Sequence, residues 1–227
     1  MKKFVLAATI AALSLGAAAQ SSEAPASYSL AGISYDNTHL GGKNFEFGSK
    51  ESMGLNGFGL EYTYGHRLSS TLPMYLEAGL KFNMGFGSVK ESDEEEDYKL
   101  SMQQMRFSLP ISFAWRFNAT ENLAVTPYAG IDFRYNAMWR VKDEYESEGE
   151  KEEYDWVSLF DKDKIGEDET WNRFQMGWHI GVRAEYNRVF LGLSYGTDFI
   201  HAFKYDEDGY KSHVSTGNLA VTVGYRF

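Results

Sequence analysis

The chain has 227 residues, with 22 Lys and Arg against 32 Asp and Glu, so its net charge is −10 and its pI is near 5.0. That balance excludes nucleic acid as a partner. The absence of Cys excludes disulfides and thiolate-held metal, and a mean hydropathy of −0.42 excludes a bundle of membrane-spanning helices, though not a barrel whose strands are half polar.

The first predicted element is a secretory signal peptide over residues 1–20. Lys2 and Lys3 form its charged start, Phe4 to Leu15 its apolar stretch, and Ala17-Ala18-Ala19 its cleavage region. The stretch is shorter than the roughly 20 residues that span a bilayer. No Cys follows it, which rules out a lipoprotein anchor. Residues 21–227 are then expected to form one domain.

Eight segments with a period of two follow. The first is about Ser27–Asp36, where Gly32 leaves the facing ambiguous. In the second, about Ser52–His66, Phe58, Leu60, Tyr62 and Tyr64 form one face and Gly57, Gly59, Glu61 and Thr63 the other. In the third, Met74, Leu76, Ala78, Leu80, Phe82, Met84 and Phe86 alternate with Tyr75, Glu77, Gly79, Lys81, Asn83 and Gly85. A charged second face is no dry core, and this run exceeds the five or six residues of an ordinary strand.

The fourth segment, about Tyr98–Phe117, alternates Met105, Phe107, Leu109, Ile111, Phe113, Trp115 and Phe117 with Arg106, Ser108, Pro110, Ser112, Ala114 and Arg116. Pro110 cannot donate a ladder hydrogen bond, which predicts a bulge there. The fifth, about Leu123–Val141, places Ile131, Phe133, Tyr135 and Trp139 on the apolar side and Asp132 and Arg134 on the other. In the sixth, about Trp171–Tyr186, Phe174 to Tyr186 alternate with Arg173, Gln175, Gly177, His179, Gly181, Arg183 and Glu185. The last two are about Val189–Phe203 and His213–Phe227.

Short connections (Arg67–Leu72, Asn118–Asn122, Asn187–Arg188) alternate with longer polar ones. That is the pattern of an up-and-down barrel with short periplasmic turns and longer external loops. A soluble lipocalin-like barrel would turn the apolar side inward. Mixed charges with Gly on the polar faces, aromatics near strand ends (Trp115, Phe117, Trp139, Tyr186, Tyr225) and a terminal Phe227 favour lipid outside. The predicted fold is all-β, a single eight-stranded antiparallel up-and-down transmembrane β-barrel.

Three stretches carry a family resemblance: Phe107-Ser108-Leu109-Pro110-Ile111, Thr126-Pro127-Tyr128-Ala129-Gly130 and Val223-Gly224-Tyr225-Arg226-Phe227. With them the chain resembles the outer-membrane β-barrel domain of PorT-like proteins, related to small barrels of the OmpX and OmpA type. The resemblance implies a cell outer membrane location and an assembly signal at Tyr225 and Phe227, read by the barrel-assembly machinery. It brings no catalytic residue.

Glu61, Glu77, Lys81, Arg106, Asp132, Arg134, Arg173, His179, Arg183 and Glu185 are the expected lumen charge network. Glu61 and Glu77 are expected at similar heights on neighbouring strands, with Lys81 and Arg183 as the cations between them. A set of ion pairs filling a narrow bore is the first reading and a gated ion path the second. His179 has the chemistry of a general base, but no motif pairs it with a nucleophile.

The connections are acidic, notably Glu91–Asp97 and Lys142–Glu169, and are read as solvated, with divalent-cation binding as the alternative. Trp156, Val157, Leu159 and Phe160 within the longest connection point to a docking site or a strand extension above the membrane.

The expected role is structural or interactive, with no catalysis, cofactor or bound metal. The alternatives are a narrow ion channel and an accessory subunit of a secretion or uptake complex. Outer-membrane lipid and a protein at the external loops are the expected partners; the oligomeric state is left open. Nothing follows Phe227, so no peptidoglycan-binding domain is expected.

Overall fold

The computed structural model describes residues 25–48, 50–92, 96–147, 150–165, 170–207 and 210–227. The signal peptide expected at residues 1–20 lies outside the described residues. The strands are β1 (Ser27–Lys43), β2 (Ser52–Arg67), β3 (Met74–Ser92), β4 (Glu96–Trp115), β5 (Phe117–Asn118), β6 (Leu123–Ser147), β7 (Glu150–Glu153), β8 (Val157–Ser158), β9 (Thr170–Trp171), β10 (Phe174–Tyr186), β11 (Val189–Asp198), β12 (Phe203–Glu207) and β13 (Tyr210–Arg226). A short helix, α1 (Lys162–Ile165), lies between β8 and β9.

Eight of these strands form the wall, in the order β1-β2-β3-β4-β6-β10-β11-β13, and β13 pairs back onto β1 to close it. Every pairing is antiparallel. From Gly32 the register leads one way through Glu61, Lys81, Ser108 and Arg134 to Gln175. The other way it leads through Gly224 and Phe190 to Glu185, ten positions along the same strand. An offset of that size tilts the strands by roughly 40° to the barrel axis.

The tilted wall has an apolar outside and a polar inside. Ile33, Leu60, Leu80, Phe113 and Leu191 are exposed, whereas Glu77, Arg106, Asp132, Arg134 and Arg183 are buried. An exterior covered with large apolar side chains suits lipid and not water. Aromatics ring the periplasmic end, where Trp115 stacks on Phe117 at 6.0 Å and Tyr225 meets Phe227 edge-on at 5.2 Å.

Two sequence expectations on β4 and β6 change. Pro110 does not bulge. The β3–β4 register is the same on both sides of it, with Ala78 opposite Ile111 and Lys81 opposite Ser108, and only the ladder between them is interrupted. The bulge lies higher, between Met105 and Arg106, which pair with Met138 and Asn136 and leave Ala137 as the extra residue on β6. One extra residue reverses the parity of everything beyond it. Trp139, expected on the lipid side, is therefore inside, with 0 % of its surface exposed.

The strands also run past the expected boundaries. Much of the expected acidic connection Glu91–Asp97 is strand, since Glu91 and Ser92 end β3 and Glu96 and Asp97 begin β4. Lys142 to Ser147 belong to β6, and β7 and β8 pair onto it. Val157, Leu159 and Phe160 are not an exposed docking patch. Val157 is ladder-paired, Leu159 is buried in the upper core, and Phe160 packs against that core. Of the two expectations for this cluster, the strand extension is the one seen.

Side chains fill the bore in layers. Leu40, Met53, Leu55, Val89, Met102, Trp139 and Val214 point inward near the external end, where Phe47, Trp171, Ala202 and Phe203 join them. Tyr28, Leu30, Tyr75, Ala114 and Phe190 form a second apolar layer near the periplasmic end.

Leu80 is 66 % exposed near the middle of the apolar band. Leu80→Arg is expected to cost about 2–4 kcal/mol of stability in lipid vesicles. Lys90→Arg, above the band, should cost almost nothing. Denaturant unfolding of both variants in the same vesicles checks the difference.

Candidate functional site

The charged lumen between the two apolar layers is the candidate site. Alternation on the wall strands delivers its residues. Glu77, Lys81 and Asn83 come from β3, Arg106, Ser108 and Ser112 from β4, Asp132 and Arg134 from β6, and His179, Arg183 and Glu185 from β10.

At the periplasmic end Glu185 accepts both guanidinium nitrogens of Arg116, at 2.6 and 2.8 Å, and the Nε of Arg226 at 2.6 Å. Higher up, Glu77 is ion-paired with Arg183 and accepts the Tyr28 hydroxyl at 2.5 Å. The Arg183 guanidinium also lies 5.3 Å from the Tyr128 ring centre. Next, Lys81 bridges Asp36 at 2.8 Å and Glu61 at 3.9 Å, while Ser34 donates to the free side of Asp36 at 2.5 Å. Above that, Arg134 bonds Asp132 at 2.8 Å and pairs with Asp198, which also accepts the Thr216 hydroxyl. Gln104, Asn136 and Gln175 form an amide chain across the top, with links of 3.0 and 2.8 Å.

Nine of the ten lumen residues expected from sequence lie inside: Glu61, Glu77, Lys81, Arg106, Asp132, Arg134, His179, Arg183 and Glu185. Arg173 does not. It is exposed just before β10 begins, and its guanidinium stacks 4.0 Å over the Phe160 ring. The alternation was extended one step beyond the end of the strand. Register also places Lys81, not Glu77, opposite Glu61, with Glu77 opposite Gly65 further down. Each carboxylate thus has its own cation.

Sequence reasoning missed Asp36, Asp198 and Arg226, and left Arg116 out of the network although it stood on the polar face of the fourth segment. The signal for Asp36 was present, because Ser34, Asp36 and Thr38 alternate with Ile33 and Tyr35 and would have settled the facing that Gly32 obscured.

The structure also pairs His179 with a hydroxyl that no motif announced. Ser112 Oγ lies 2.7 Å from His179 Nε2, and His179 Nδ1 lies 3.0 Å from Asp132 Oδ2. The order Ser-His-Asp invites comparison with a hydrolase triad. Two observations count against it. Nδ1 has no hydrogen bond of acceptable geometry despite that contact. The cavity the three residues line has a volume of about 80 Å³, well below the roughly 300 Å³ of small-molecule sites. Arg106 Nε and Nη1 and both amide atoms of Asn83 lack protein partners in the same cavity. It has room for a few waters, which would satisfy them.

Above the membrane, the acidic side of the barrel is cross-braced rather than bare. Lys99 bonds Glu144 at 3.1 Å, Lys142 bonds Glu153 at 2.9 Å and Lys151 bonds Glu153 at 2.6 Å. The Lys151 and Lys142 ammonium groups hold the Glu153 carboxyl down at about 2. Among the described residues, no group of three or more His, Asp or Glu is placed to hold a metal ion.

The family model of the outer membrane protein beta-barrel domain matches residues 5–227. Among solved structures, Ail, the attachment invasion locus protein of Yersinia pestis, is 15 % identical, covering 89 % of this chain and 100 % of its own, with a TM-score of 0.46. OprG from Pseudomonas aeruginosa is 11 % identical over 88 % of this chain and 95 % of its own, with a TM-score of 0.41. Neisserial surface protein A is 16 % identical over 89 % and 98 %, with a TM-score of 0.38. No curated protein matches the sequence.

Two outcomes follow from the charges. Glu185→Gln leaves Arg116 and Arg226 facing each other in a buried site, and is expected to cost about 3–5 kcal/mol in vesicle unfolding. The Glu153 carboxyl is held below its ordinary value of 4.5. Its pairing therefore contributes fully above that pH and is lost as pH falls through about 2. Amide exchange in β7, corrected for the intrinsic pH effect, should accelerate across that window.

Proposed function

This chain belongs to the outer membrane protein beta-barrel domain family, and from that premise we propose that it is a closed barrel that presents a rigid sheet at the cell surface, rather than a conduit. One observation carries the proposal. The bore is filled by an apolar layer at its external end and a second at its periplasmic end, with paired charges between.

A conducting path needs continuous water, and an eight-stranded bore is only wide enough for its own side chains. The cavity of about 80 Å³ is one wet layer between dry ones. The same filling argues against catalysis in the lumen, since no substrate reaches Ser112 or His179.

The surface role draws support from the wall strands themselves. β3, β4 and β6 continue beyond the apolar band as a paired sheet that β7 and β8 extend. Such a platform is held in shape by backbone hydrogen bonds and needs little ordering on binding. A protein partner at this sheet is part of the proposal, as is export by cleavage near residue 20. Recognition of Tyr225 and Phe227 by the assembly machinery fits the exposure of both side chains at the periplasmic rim.

Planar-bilayer recording of the purified protein tests the closed bore, and no steady openings are expected. Sustained single-channel steps would overturn it. Pull-down from intact outer membranes, with and without residues 150–165, is expected to lose a surface partner in the deletion.

A further inference from the structure

The acidic chain carries a row of basic side chains on the outer face of β1, β13 and β12. Register sets Lys43 of β1 directly opposite His213 of β13, and His213 directly opposite Lys204 of β12. Directly paired residues point to the same side of a sheet. That side is outward, because the adjacent Val214 and Phe203 are buried in the upper core. His201 stacks on His213 with ring centres 4.1 Å apart, and its Nδ1 lies 3.1 Å from Ser215 Oγ, so the two imidazoles are held in place. Among the described residues, Lys43 has no carboxylate partner.

The height of this row is specific. Each residue of a strand tilted by roughly 40° climbs about 2.5 Å, so an apolar band about 25 Å tall takes about ten residues. On β13 the outward series starts at Tyr225 of the periplasmic girdle and rises through Val223, Val221 and Leu219. About ten residues bring it to Ser215, and His213 is the next outward position. On β1 the same count runs from Ala31, opposite Tyr225, to Gly41, with Lys43 next. The row stands at the level of the outer-leaflet headgroups.

We propose that Lys43, His213 and Lys204 form a site for the phosphate of an outer-leaflet lipid headgroup, with His201 bracing His213. Lipid phosphate is the anion fixed at this height. Asp97, Glu144 and Glu146 lie on β4 and β6, across the barrel from β13 and β1, while on β12 itself Asp206 is ladder-paired with Lys211. The site rests on the membrane reading above. It adds that lipid contact is polar and local on this side, as well as apolar and general.

The test uses the full barrel in phosphatidylcholine vesicles, with or without a minor fraction of phosphatidic acid as the phosphate probe. Lipids retained on the protein are counted by native mass spectrometry, and insertion is followed by protease protection. The wild type should retain phosphatidic acid. The Lys43→Gln/Lys204→Gln double variant should insert equally and bind it roughly thirty-fold more weakly, at about one surface lysine's worth per change. Lys90→Gln/Lys99→Gln, on the acidic side, should bind it as the wild type does.

Equal retention by the double variant would overturn the site and leave the membrane reading intact. Full competition by inorganic phosphate at comparable concentration would show a free-anion site instead. Failure of all forms to insert would overturn both readings.

Discussion

A bilayer core offers no water to a backbone amide, so a strand-built span exists only if its ring of hydrogen bonds closes. Here the closure is the β1–β13 ladder, continuous from Leu30 opposite Arg226 to Lys43 opposite His213. Without it β1 and β13 would be bare edges in hydrocarbon. Once the ring is shut, alternation has two destinations. One side chain of each neighbouring pair meets lipid, and the other must fit a bore wide enough for side chains alone.

That bore explains why the lumen is charged and why each of its carboxylates has a cation beside it. Four of its ion pairs reach past a neighbouring strand. Lys81 of β3 reaches Asp36 of β1, Glu77 of β3 reaches Arg183 of β10, Arg116 just after β4 reaches Glu185 of β10, and Arg134 of β6 reaches Asp198 of β11. Buried pairs add little net stability over apolar packing of the same volume. Their leverage is on register. A slip of one residue turns every lumen charge of that strand toward lipid, so the network makes the observed pairing the only tolerable one. Glycine makes the space. A Cβ at Gly65 would lie 2.6 Å from the Tyr28 ring, and one at Gly181 would lie 2.4 Å from the Tyr128 ring.

The wall was legible because a period of two, sustained over a dozen residues, has few explanations. β3 and β10 show it without interruption, and strand count, closure and facing followed. The failures have separate causes. Trp139 was misplaced because one inserted residue, Ala137, reverses parity and leaves no mark in composition. Arg173 was misplaced because alternation carries no marker of where a strand stops. The Ser112–His179 contact was invisible because it joins residues 67 positions apart. Such a contact depends on the shear of the whole ring.

The apolar upper core has a cause that unites these observations. Each long strand crosses two solvents, and its pattern inverts at the boundary. Within the band β3 sends Glu77, Lys81 and Asn83 inward and Leu76, Leu80 and Phe86 outward. Above it, Val89 points inward and Ser88 and Lys90 outward. The inward series changes in the same way from Thr38 to Leu40, from Gln104 to Met102, from Asn136 to Trp139 and from Thr216 to Val214. With lipid outside, a polar interior is tolerable because the exterior already holds the apolar surface. With water outside, the hydrophobic effect acts on the interior again and draws Leu, Met and Trp into it. The upper section is thus a water-facing barrel with a dry core, set on a lipid-facing barrel with a wet one. The level at which the chemistry inverts locates the outer face of the bilayer on each strand independently. Lys43 stands just above it beside His213, where a cation on the outside meets headgroups instead of hydrocarbon.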